Sequence, residues 1–309
     1  MTDTSRCSRS TFLKVAGAAM LASTLPGSPS FAAAAPLAMR PIPKSKTKEQ
    51  LPVIGLGTSQ VFASRGDAAA MTAKGDVVKT LLQEGGRVID TAAAYRESEG
   101  VVGELLETLK LRKQAFVATK FGEQGRDNGI ASIARSFKNL RTDMIDLMYI
   151  HNMVDVDTHL PTIKQYKADG KFRYIGISDT SNNQDKLTTW MDQIDFVEFN
   201  YSVDTREAEK RLLPMAKDKG VAVFVALPLG RGRLLNRVKD TPFPEWAKAE
   251  LQCATFAQLL LKFVVSHPAV TTAIPATSRQ KHVGENLDAG RGPLPDAKQR
   301  ERIAAIWNA

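Results

Sequence analysis

The chain has 309 residues, of which 43% are hydrophobic and 24% are charged, a composition typical of globular rather than disordered proteins. The formal net charge of +9 would suit an anionic partner. However, no basic run exceeds two residues and none alternates with aromatic side chains, so we expect no nucleic-acid partner. The two cysteines, Cys7 and Cys253, exclude a disulfide framework and a multi-cysteine zinc site, and we expect no metal.

Residues 1–35 differ from the rest of the chain and are predicted to be a signal peptide. Arg6, Arg9 and Lys14 precede an uncharged apolar run over 15–25, and a segment rich in proline and alanine follows. The run is shorter than the roughly 20 residues of a membrane-spanning helix, so no stable membrane anchor is expected after cleavage. We therefore expect an exported, periplasmic protein, with a cytoplasmic or membrane-anchored one as the alternative if the segment stays uncleaved.

The export route is indicated by residues 8–14, Ser-Arg-Ser-Thr-Phe-Leu-Lys. This segment resembles a twin-arginine export motif in which Ser10 replaces the second arginine. Because of that replacement, ordinary secretion stays open as an alternative. The mature domain is predicted to cover residues 36–309.

From residue 51 onward, short runs rich in valine and isoleucine alternate with segments of helical spacing. The eight predicted strands are 53–56, 88–90, 116–119, 145–150, 174–178, 196–201, 221–227 and 272–275. Because parallel strands need crossover helices, this alternation predicts an α/β protein with a (β/α)₈ TIM barrel. The rival is an open doubly wound sheet, but Gly55-Leu56-Gly57-Thr58 lacks the third glycine of a dinucleotide-binding fingerprint.

Two segments fall outside this alternation. Residues 39–42 and 51–53 flank a polar stretch and predict a small hairpin that closes the bottom of the barrel. Residues 231–251 contain two prolines and no clear periodicity, so we interpret them as a long loop after the seventh strand. With Phe243 and Trp246, this loop is expected to form a wall of the substrate pocket.

Four polar residues stand at or just beyond the ends of three successive predicted strands. Asp90 ends the second strand, Lys120 the third and His151 the fourth, while Tyr95 follows Asp90 by five residues. Active sites of such barrels lie at the carboxyl ends of the strands. We therefore expect these four side chains to converge above neighbouring strands.

This set of residues suits proton donation to a carbonyl oxygen. A phenol has a pKa of about 10, and an adjacent ammonium is expected to lower it, which makes Tyr95 a proton donor activated by Lys120. Asp90 would keep Lys120 charged and oriented, and His151 would orient the substrate oxygen or assist proton transfer. Each residue alone also fits a structural role, and only their clustering favours catalysis.

Several short motifs, in their order and spacing, resemble the aldo-keto reductase family. They are Gly55-Leu56-Gly57-Thr58, Asp90-Thr91-Ala92 with Tyr95, Ala118-Thr119-Lys120, 146–151, Gly176-Ile177-Ser178, Phe199-Asn200-Tyr201, Pro228-Leu229-Gly230, Ile274-Pro275 and Glu285-Asn286. The resemblance implies a (β/α)₈ barrel, a nicotinamide cofactor bound without a separate dinucleotide-binding domain, and reduction of a small-molecule aldehyde or ketone. It also implies Tyr95 as the proton donor, with Asp90, Lys120 and His151 as its partners.

The resemblance further implies where the cofactor lies. Its phosphates would reach the loops after the seventh and eighth strands, where Gly230 and Gly232 allow close approach and Arg231 and Arg279 supply charge. The helix after the eighth strand would present its N-terminus to the same group. The implied contacts are Gly57, Thr58, Asp90, Ser178, Asp179, Asn200, Leu229, Gly230, Arg231, Gly232, Thr277, Ser278, Arg279, Glu285 and Asn286. NADP(H) is the expected cofactor, with NAD as the alternative.

Some positions depart from the family's pattern. Ala276 stands where a lysine often contacts the 2′-phosphate of NADP, and Arg279 is the candidate substitute. Asp179 stands where the family usually has asparagine, and a carboxylate accepts hydrogen bonds without donating them. The two changes put the details of cofactor binding, rather than the acid–base group, in question.

A further departure concerns the sixth strand. The position at which the family usually has an amide side chain aligns with Phe196. Glu198 and Asn200 are the alternatives if the alignment shifts slightly. These changes keep two other hypotheses open: a nucleotide-binding sensor or interaction protein with little turnover, and a non-redox barrel enzyme.

After Asn286 only a short segment remains, ending in a predicted helix over 299–307, so a more open site is expected. The sequence predicts no oligomeric state.

Overall fold

Eight parallel strands form one sheet whose two edges meet. In the computed structural model, which describes residues 35–181 and 183–308, each strand of this sheet pairs with the next along the chain. Parallel bridges from Ile54 to Ala273 and from Gly57 to Ala276 join the first strand to the last. The predicted (β/α)₈ barrel is therefore confirmed.

The barrel follows a two-stranded unit made of β1 (Met39–Pro41) and β2 (Gln50–Pro52). The barrel strands are β3 (Leu56–Gly57), β4 (Val88–Asp90), β5 (Phe116–Phe121), β6 (Ile145–Ile150), β7 (Phe172–Asp179), β8 (Phe196–Asn200), β9 (Ala222–Ala226) and β10 (Thr272–Ala273). The helices are α1 (Ala68–Gln83), α2 (Ser98–Thr108), α3 (Arg126–Leu140), α4 (Val156–Ala168), α5 (Leu212–Asp218), α6 (Arg233–Arg237), α7 (Glu245–Leu251), α8 (Phe256–Val265), α9 (Gln280–Asp288) and α10 (Ala297–Asn308). Between β7 and β8 the crossover is a run of 3₁₀ turns, Gln184–Gln193.

Alternate residues of the strands fill the inside of the barrel with apolar side chains. The cluster consists of Ile42, Leu51, Val88, Phe116, Ala118, Leu147, Tyr149, Tyr174, Phe196, Ala222, Phe224 and Ile274. Successive strand residues point to opposite faces, so the residues between these pack outward against the helices. Phe196 is fully buried in this cluster, with its ring centroid 5.2 Å from that of Phe224. Phe196, which aligns with the family's usual amide position, is therefore part of the core and offers no amide group to a cofactor.

The predicted hairpin is confirmed and closes the end of the barrel where the strands begin. Strands β1 and β2 pair antiparallel, and Ile42 and Leu51 join the interior cluster with at most 1% of their surface exposed. Lys44 Nζ donates to the backbone oxygen of Ile194 at 2.6 Å, just before β8 begins.

Residues 231–251 are not the simple loop that the sequence predicts. They include the short helices α6 and α7. The ring of Phe243 packs edge-on against Phe256 in α8, with 5.2 Å between centroids. The guanidinium of Arg302 in α10 lies 3.9 Å from the ring centroid of Trp246. These two aromatics therefore pack against outer helices, and the expectation that they form the substrate wall is not met.

The C-terminal segment also packs on the barrel. Helix α10 confirms the predicted helix and extends it at both ends, and the indole nitrogen of Trp307 donates to the backbone oxygen of Leu234 at 3.3 Å.

Cys253 is buried as expected, and burial raises the pKa of its thiol to about 11, which makes the thiolate scarce. Within the described ranges, no helix combines the length and the apolar character needed to cross a membrane.

Gly103 allows α2 to approach α3 closely, and this contact gives a test of the packing. A methyl group at Gly103 would lie 2.2 Å from the backbone oxygen of Asn139, whereas one at Gly100 would have no atom within 4 Å. Gly103→Ala should lower the free energy of unfolding by about 1–3 kcal/mol through overpacking. Gly100→Ala, the matched control, should leave it unchanged or raise it by up to about 1 kcal/mol. Urea denaturation measures both, and equal effects would contradict the contact.

Candidate active site

The structure brings the four predicted acid–base residues together at the carboxyl ends of β4, β5 and β6. Asp90 is the last residue of β4, Lys120 lies one residue from the end of β5, and His151 directly follows β6. Tyr95 lies in the turn after β4. The backbone N–H of Ala93 in that turn donates to the backbone oxygen of Lys120 at 3.0 Å, which fixes the turn above β5.

The ammonium of Lys120 is fully buried and has three partners. It donates a short hydrogen bond to the carboxylate of Asp90 and another, at 3.1 Å, to the backbone oxygen of Thr91. The third partner is Glu198 in β8, with 3.3 Å between Lys120 Nζ and Glu198 Oε2. Burial lowers the pKa of Lys120, but Asp90 and Glu198 outweigh it and hold that pKa above its ordinary value. Lys120 is therefore a permanent positive charge.

The Tyr95 ring lies near both this ammonium and the His151 imidazole. Lys120 Nζ is 5.5 Å from the centroid of the Tyr95 ring. The His151 ring stands edge-on to the same ring at 84°, with 6.0 Å between centroids. A carbonyl group placed at the Tyr95 hydroxyl would thus have a phenol and an imidazole beside it.

Lys120 lowers the pKa of Tyr95, as predicted, but other effects outweigh it. Lys120 is the largest influence on the pKa of Tyr95 and lowers it, whereas burial and the carboxylates of Asp90 and Glu198 raise it. The pKa of Tyr95 is raised overall. The expectation of a lowered value was wrong, because it omitted burial of the phenol and the effect of the Asp90 and Glu198 carboxylates on its pKa. Tyr95 therefore carries its proton at neutral pH and can donate it.

His151 is neutral under ordinary conditions. Burial, with the nearby Lys120 charge, lowers the pKa of His151 to about 3. Gly122 makes room for it, since a methyl group at Gly122 would lie 3.2 Å from His151 Cβ. A neutral imidazole presents one donor and one acceptor, so it suits a hydrogen bond to the substrate oxygen better than the proton transfer that was its other predicted role.

Two buried residues of the acid–base group, Glu198 and Tyr149, were not predicted from the sequence. Glu198 was considered only as an alternative amide position, although a glutamate that alternates with Phe196 and Asn200 along β8 must face the same side as they do. Tyr149, two residues before His151 in β6, is fully buried, and Lys120 Nζ lies 5.7 Å from its ring centroid. The same two-residue spacing from His151 would have located Tyr149.

The predicted contacts for a nicotinamide lie at the ends of β7 and β8. Ser178 pairs in register with Glu198, and its buried Oγ has no hydrogen-bond partner within the described part of the chain. Asn200 donates to the backbone oxygen of Thr180 at 2.6 Å, while its Oδ1 is likewise unpartnered there. Asp179 differs, because its carboxylate accepts a hydrogen bond from Ser181 Oγ at 2.7 Å. Ser178 and Asn200 thus offer free polar atoms, and Asp179 is already bonded.

Gly57 and Thr58 lie where β3 meets both of its neighbours. A methyl group at Gly57 would lie 2.7 Å from the backbone oxygen of Ile274, so glycine permits the close approach that closes the barrel. Thr58 Oγ1 donates to the backbone oxygen of Asp90 at 2.9 Å. Both residues therefore have a structural role next to Asp90, in addition to the cofactor contact predicted for them.

The loop after β9 contains the predicted phosphate contacts Leu229, Gly230, Arg231 and Gly232. The last three have φ of 57°, 55° and 85°, a left-handed run that glycine adopts without strain. The N–H groups of Gly230 and Gly232 donate to Leu227 and Leu229 at 2.9 and 3.0 Å. The glycines therefore shape the turn and use their own N–H groups within it, while the Arg231 side chain is exposed.

The segment after β10 contains the remaining predicted contacts. Thr277 Oγ1 accepts a hydrogen bond from the N–H of Arg279 at 3.1 Å, just before α9 begins. No side chain caps the start of α9, and the side chains of Ser278 and Arg279 are exposed beside it. Glu285 and Asn286 lie further along α9. An uncapped helix N-terminus next to an arginine is suited to an anion.

A cavity of about 260 Å³ opens beside His151. It is lined by Ala93, Ala94, Glu99, Gly122, Glu123, Arg135, Asn139, His151, Asn152 and Val154. The walls are mostly small or polar, which suits a small and polar guest. Over the described ranges, no group of three or more His, Cys, Asp or Glu side chains is placed to hold a metal ion.

Comparison with known proteins agrees with this geometry. The sequence model described as "Aldo/keto reductase family" matches residues 53–308. Glyoxal reductase of Bacillus subtilis (strain 168) is 29% identical over 262 residues, which cover 82% of this chain and 88% of that relative. Methylglyoxal reductase DkgB of Escherichia coli O157:H7 is 28% identical over 265 residues, covering 83% and 93%. An aldo-keto reductase of Klebsiella pneumoniae in complex with NADPH has a TM-score of 0.75 at 23% identity, covering 88% and 96%.

The chain belongs to the aldo/keto reductase family, because the family's model covers almost the whole barrel. The predicted resemblance is confirmed, and so is the enzyme class, an oxidoreductase that acts on carbonyl groups. The alternatives of a sensor with little turnover and of a non-redox barrel enzyme are not favoured.

Proposed function

We propose that this protein reduces small aldehydes or ketones with NADPH, with Tyr95 as the proton donor. One observation carries the proposal: the buried Lys120 ammonium lies 5.5 Å from the ring centroid of the protonated Tyr95 phenol, and the neutral His151 imidazole stands edge-on to the same ring at 6.0 Å. This is the arrangement that proton donation to a carbonyl oxygen requires.

The residues at the mouth of the barrel fit a nicotinamide. The unpartnered Ser178 Oγ and Asn200 Oδ1 offer a hydroxyl and an acceptor, which match the donor and acceptor of a carboxamide. When bound, the nicotinamide supplies the hydride that reduces the carbonyl carbon. Asp179 stays a predicted contact, because Ser181 bonds only its Oδ2 and a carboxylate accepts more than one hydrogen bond.

NADP(H) fits better than NAD(H) because of the charges at the start of α9. Arg279 and Lys281 are exposed around an uncapped helix N-terminus, and Arg231 lies on the loop after the neighbouring strand. Guanidinium and ammonium groups at a helix N-terminus favour an additional phosphate. The relative named aldo-keto reductase yakc [NADP(+)] of Schizosaccharomyces pombe, 26% identical, supports the same choice.

The protein's own groups can then complete the reduction. Tyr95 donates its hydroxyl proton to the carbonyl oxygen as negative charge develops there, which breaks its O–H bond and leaves a phenolate. Lys120 stabilises that phenolate, and Asp90 holds Lys120 in place through a direct hydrogen bond. Neutral His151 donates a hydrogen bond to the same substrate oxygen and keeps the carbonyl facing Tyr95.

The relatives favour a small dicarbonyl substrate. The cavity beside His151 does not define the substrate, because neither Tyr95 nor a predicted cofactor contact is among its lining residues. Two relatives are named for glyoxal and methylglyoxal, which are small dicarbonyl compounds. We therefore propose an α-oxoaldehyde such as methylglyoxal as the substrate class.

Replacing the Tyr95 hydroxyl tests the proposed function. Tyr95→Phe should lower kcat for NADPH-dependent reduction of methylglyoxal by about 10²–10⁴-fold, because general acid catalysis contributes that much. The affinity for NADPH, measured by fluorescence titration, should stay unchanged, because the proposed cofactor contacts lie elsewhere.

Tyr166→Phe is the matched control, since Tyr166 stacks on Phe172 with 5.1 Å between ring centroids and lies on α4, away from the site. It should retain full activity. Reduction by Tyr95→Phe at the rate of the unaltered protein would reject Tyr95 as the donor, and no turnover with any small carbonyl would reject the function.

We also propose that residues 1–35 direct export to the periplasm and are then removed. The signal-like order of charges, apolar run and small residues supports this, although residues 1–34 of the segment lie outside the described residues. The compact unit that contains the barrel begins at Ala35. Export of a folded protein by the twin-arginine route would allow NADP(H) to be bound before transport.

Cell fractionation with mass spectrometry of the N-terminus tests this proposal. In a bacterial host, the full chain should be found in the periplasmic fraction with its N-terminus near residue 36. Replacing Arg9 by Gln should hold the protein in the cytoplasm, because the positive charge before the apolar run is reduced. An uncleaved chain in the cytoplasm, unaffected by the replacement, would contradict export.

A further inference from the structure

Glu198 is a buried carboxyl group that the proposed reaction does not use. It lies in the middle of β8 with 2% of its surface exposed, and its Oε2 is 3.3 Å from Lys120 Nζ. It also lies within hydrogen-bond reach of the Asp90 carboxyl group. Lys120 therefore faces two carboxyl groups at once.

Charge balance requires a proton in this cluster. One ammonium can compensate one carboxylate, and a second buried carboxylate without compensation is very unfavourable. Within the described part of the chain, Asp90 Oδ2 accepts no hydrogen bond, and Glu198 Oε2 faces Lys120 Nζ at 3.3 Å as an ion pair without a hydrogen bond. A single proton shared between the two carboxyl groups would supply a donor and remove the excess charge.

The groups facing Glu198 come from several elements around it. Lys120 lies on β5, Asp90 on β4, Tyr149 on β6 and Tyr95 in the turn after β4. Tyr149 has a fully buried hydroxyl without a partner in the described ranges and stays protonated, because burial raises its pKa well above the ordinary value. Lys120 stays charged and Tyr149 stays neutral, so the two carboxyl groups are the members that gain or lose the proton.

We propose that Glu198 is a positioning residue that holds a proton with Asp90 beneath Tyr95, and that its ionisation weakens the support that Lys120 gives to Tyr95. When Glu198 is neutral, the Lys120 charge is balanced by Asp90 alone. When Glu198 releases its proton to solvent, a second carboxylate competes for the same ammonium. The proposal rests on the proposed function for its effect on turnover, but its effect on Tyr95 is independent of the substrate.

The charge of Glu198 should change near the pH at which such an enzyme works. Burial and the nearby Asp90 raise the pKa of Glu198 to about 8. Below that pH the neutral form dominates, and above it the carboxylate dominates. Since the negative charge of Glu198 raises the pKa of Tyr95, Tyr95 becomes a weaker proton donor as the pH rises past this point.

Glu198→Gln isolates this effect, because glutamine has nearly the shape of the neutral acid and cannot ionise. Each of the five tyrosines can be followed by ¹³C NMR of labelled protein, with Tyr95→Phe identifying the Tyr95 signal. Tyr95 should titrate about one pH unit lower in Glu198→Gln than in the unaltered protein. Glu209→Gln, the matched control, removes a carboxylate paired with Arg300 outside this cluster and should leave Tyr95 unchanged.

The pH profile of methylglyoxal reduction gives the second readout. At about pH 6.5 the unaltered protein and Glu198→Gln should have equal kcat/KM, since both carry a neutral group at this position. At about pH 9 the variant should be more active by up to about tenfold, the limit that a pKa change of one unit in the proton donor sets. Glu198→Asp keeps a carboxyl group and should retain the alkaline decline.

The two readouts separate the possible failures. An unchanged Tyr95 titration in Glu198→Gln, with the fold intact by circular dichroism, would overturn the role of Glu198. A shifted titration without turnover in any variant would leave that role standing and reject the proposed function. A Glu198→Gln chain that fails to fold would also overturn the proposal, because a neutral group of the same shape must be tolerated.

Discussion

The site depends on one buried ammonium. Lys120 has no exposed surface, and an unpaired charge at such depth would cost several kcal/mol of stability. Asp90, Glu198 and the backbone oxygen of Thr91 compensate it, and they come from β4, from β8 and from the turn after β4. Only a closed sheet brings these elements around one point. The barrel is thus a requirement of the site as well as its scaffold.

The closed barrel also explains why the four acid–base residues could be predicted from the sequence. Each stands at or near a strand end, and the carboxyl ends of parallel strands meet at one end of a barrel. Asp90, Lys120 and His151 could therefore be placed together without coordinates. Tyr95 followed from its short distance along the chain to Asp90. The hairpin and the order of the strands were predictable for a similar reason, because apolar periodicity is a local property of the sequence.

The sequence could not predict the pKa of Tyr95, because that pKa is the net result of opposing effects on one hydroxyl group. The pKa of Tyr95 depends on how deeply the hydroxyl is buried and on how many carboxylates share Lys120, and neither is a local property. Glu198 was passed over for Phe196 because a shift of two residues along a strand keeps the same face, so periodicity alone cannot choose between them. Residues 231–251 were taken as a loop because α6 and α7 are too short to show a helical period.

The cofactor side and the acid–base side of the site are different in kind. Ser178 and Asn200 carry polar atoms without a partner in the described ranges, whereas Asp90 and Glu198 both form ion pairs with Lys120 within the protein. The departures from the family's pattern at Asp179 and Ala276 fall on the cofactor side. The charged cluster is therefore in place before any ligand binds, which lowers the cost of arranging it during the reaction.

The most direct test of this account is the rate of a single hydride transfer from NADPH to methylglyoxal in Lys120→Met, followed by stopped-flow absorbance. Methionine preserves much of the side chain's length, and it removes both the charge that stabilises the Tyr95 phenolate and the hydrogen bonds to Asp90 and Thr91. The account predicts a decrease of at least about 100-fold, the lower range for general acid catalysis, with NADPH binding retained. Transfer at the rate of the unaltered protein would show that the ammonium has no part in the chemistry.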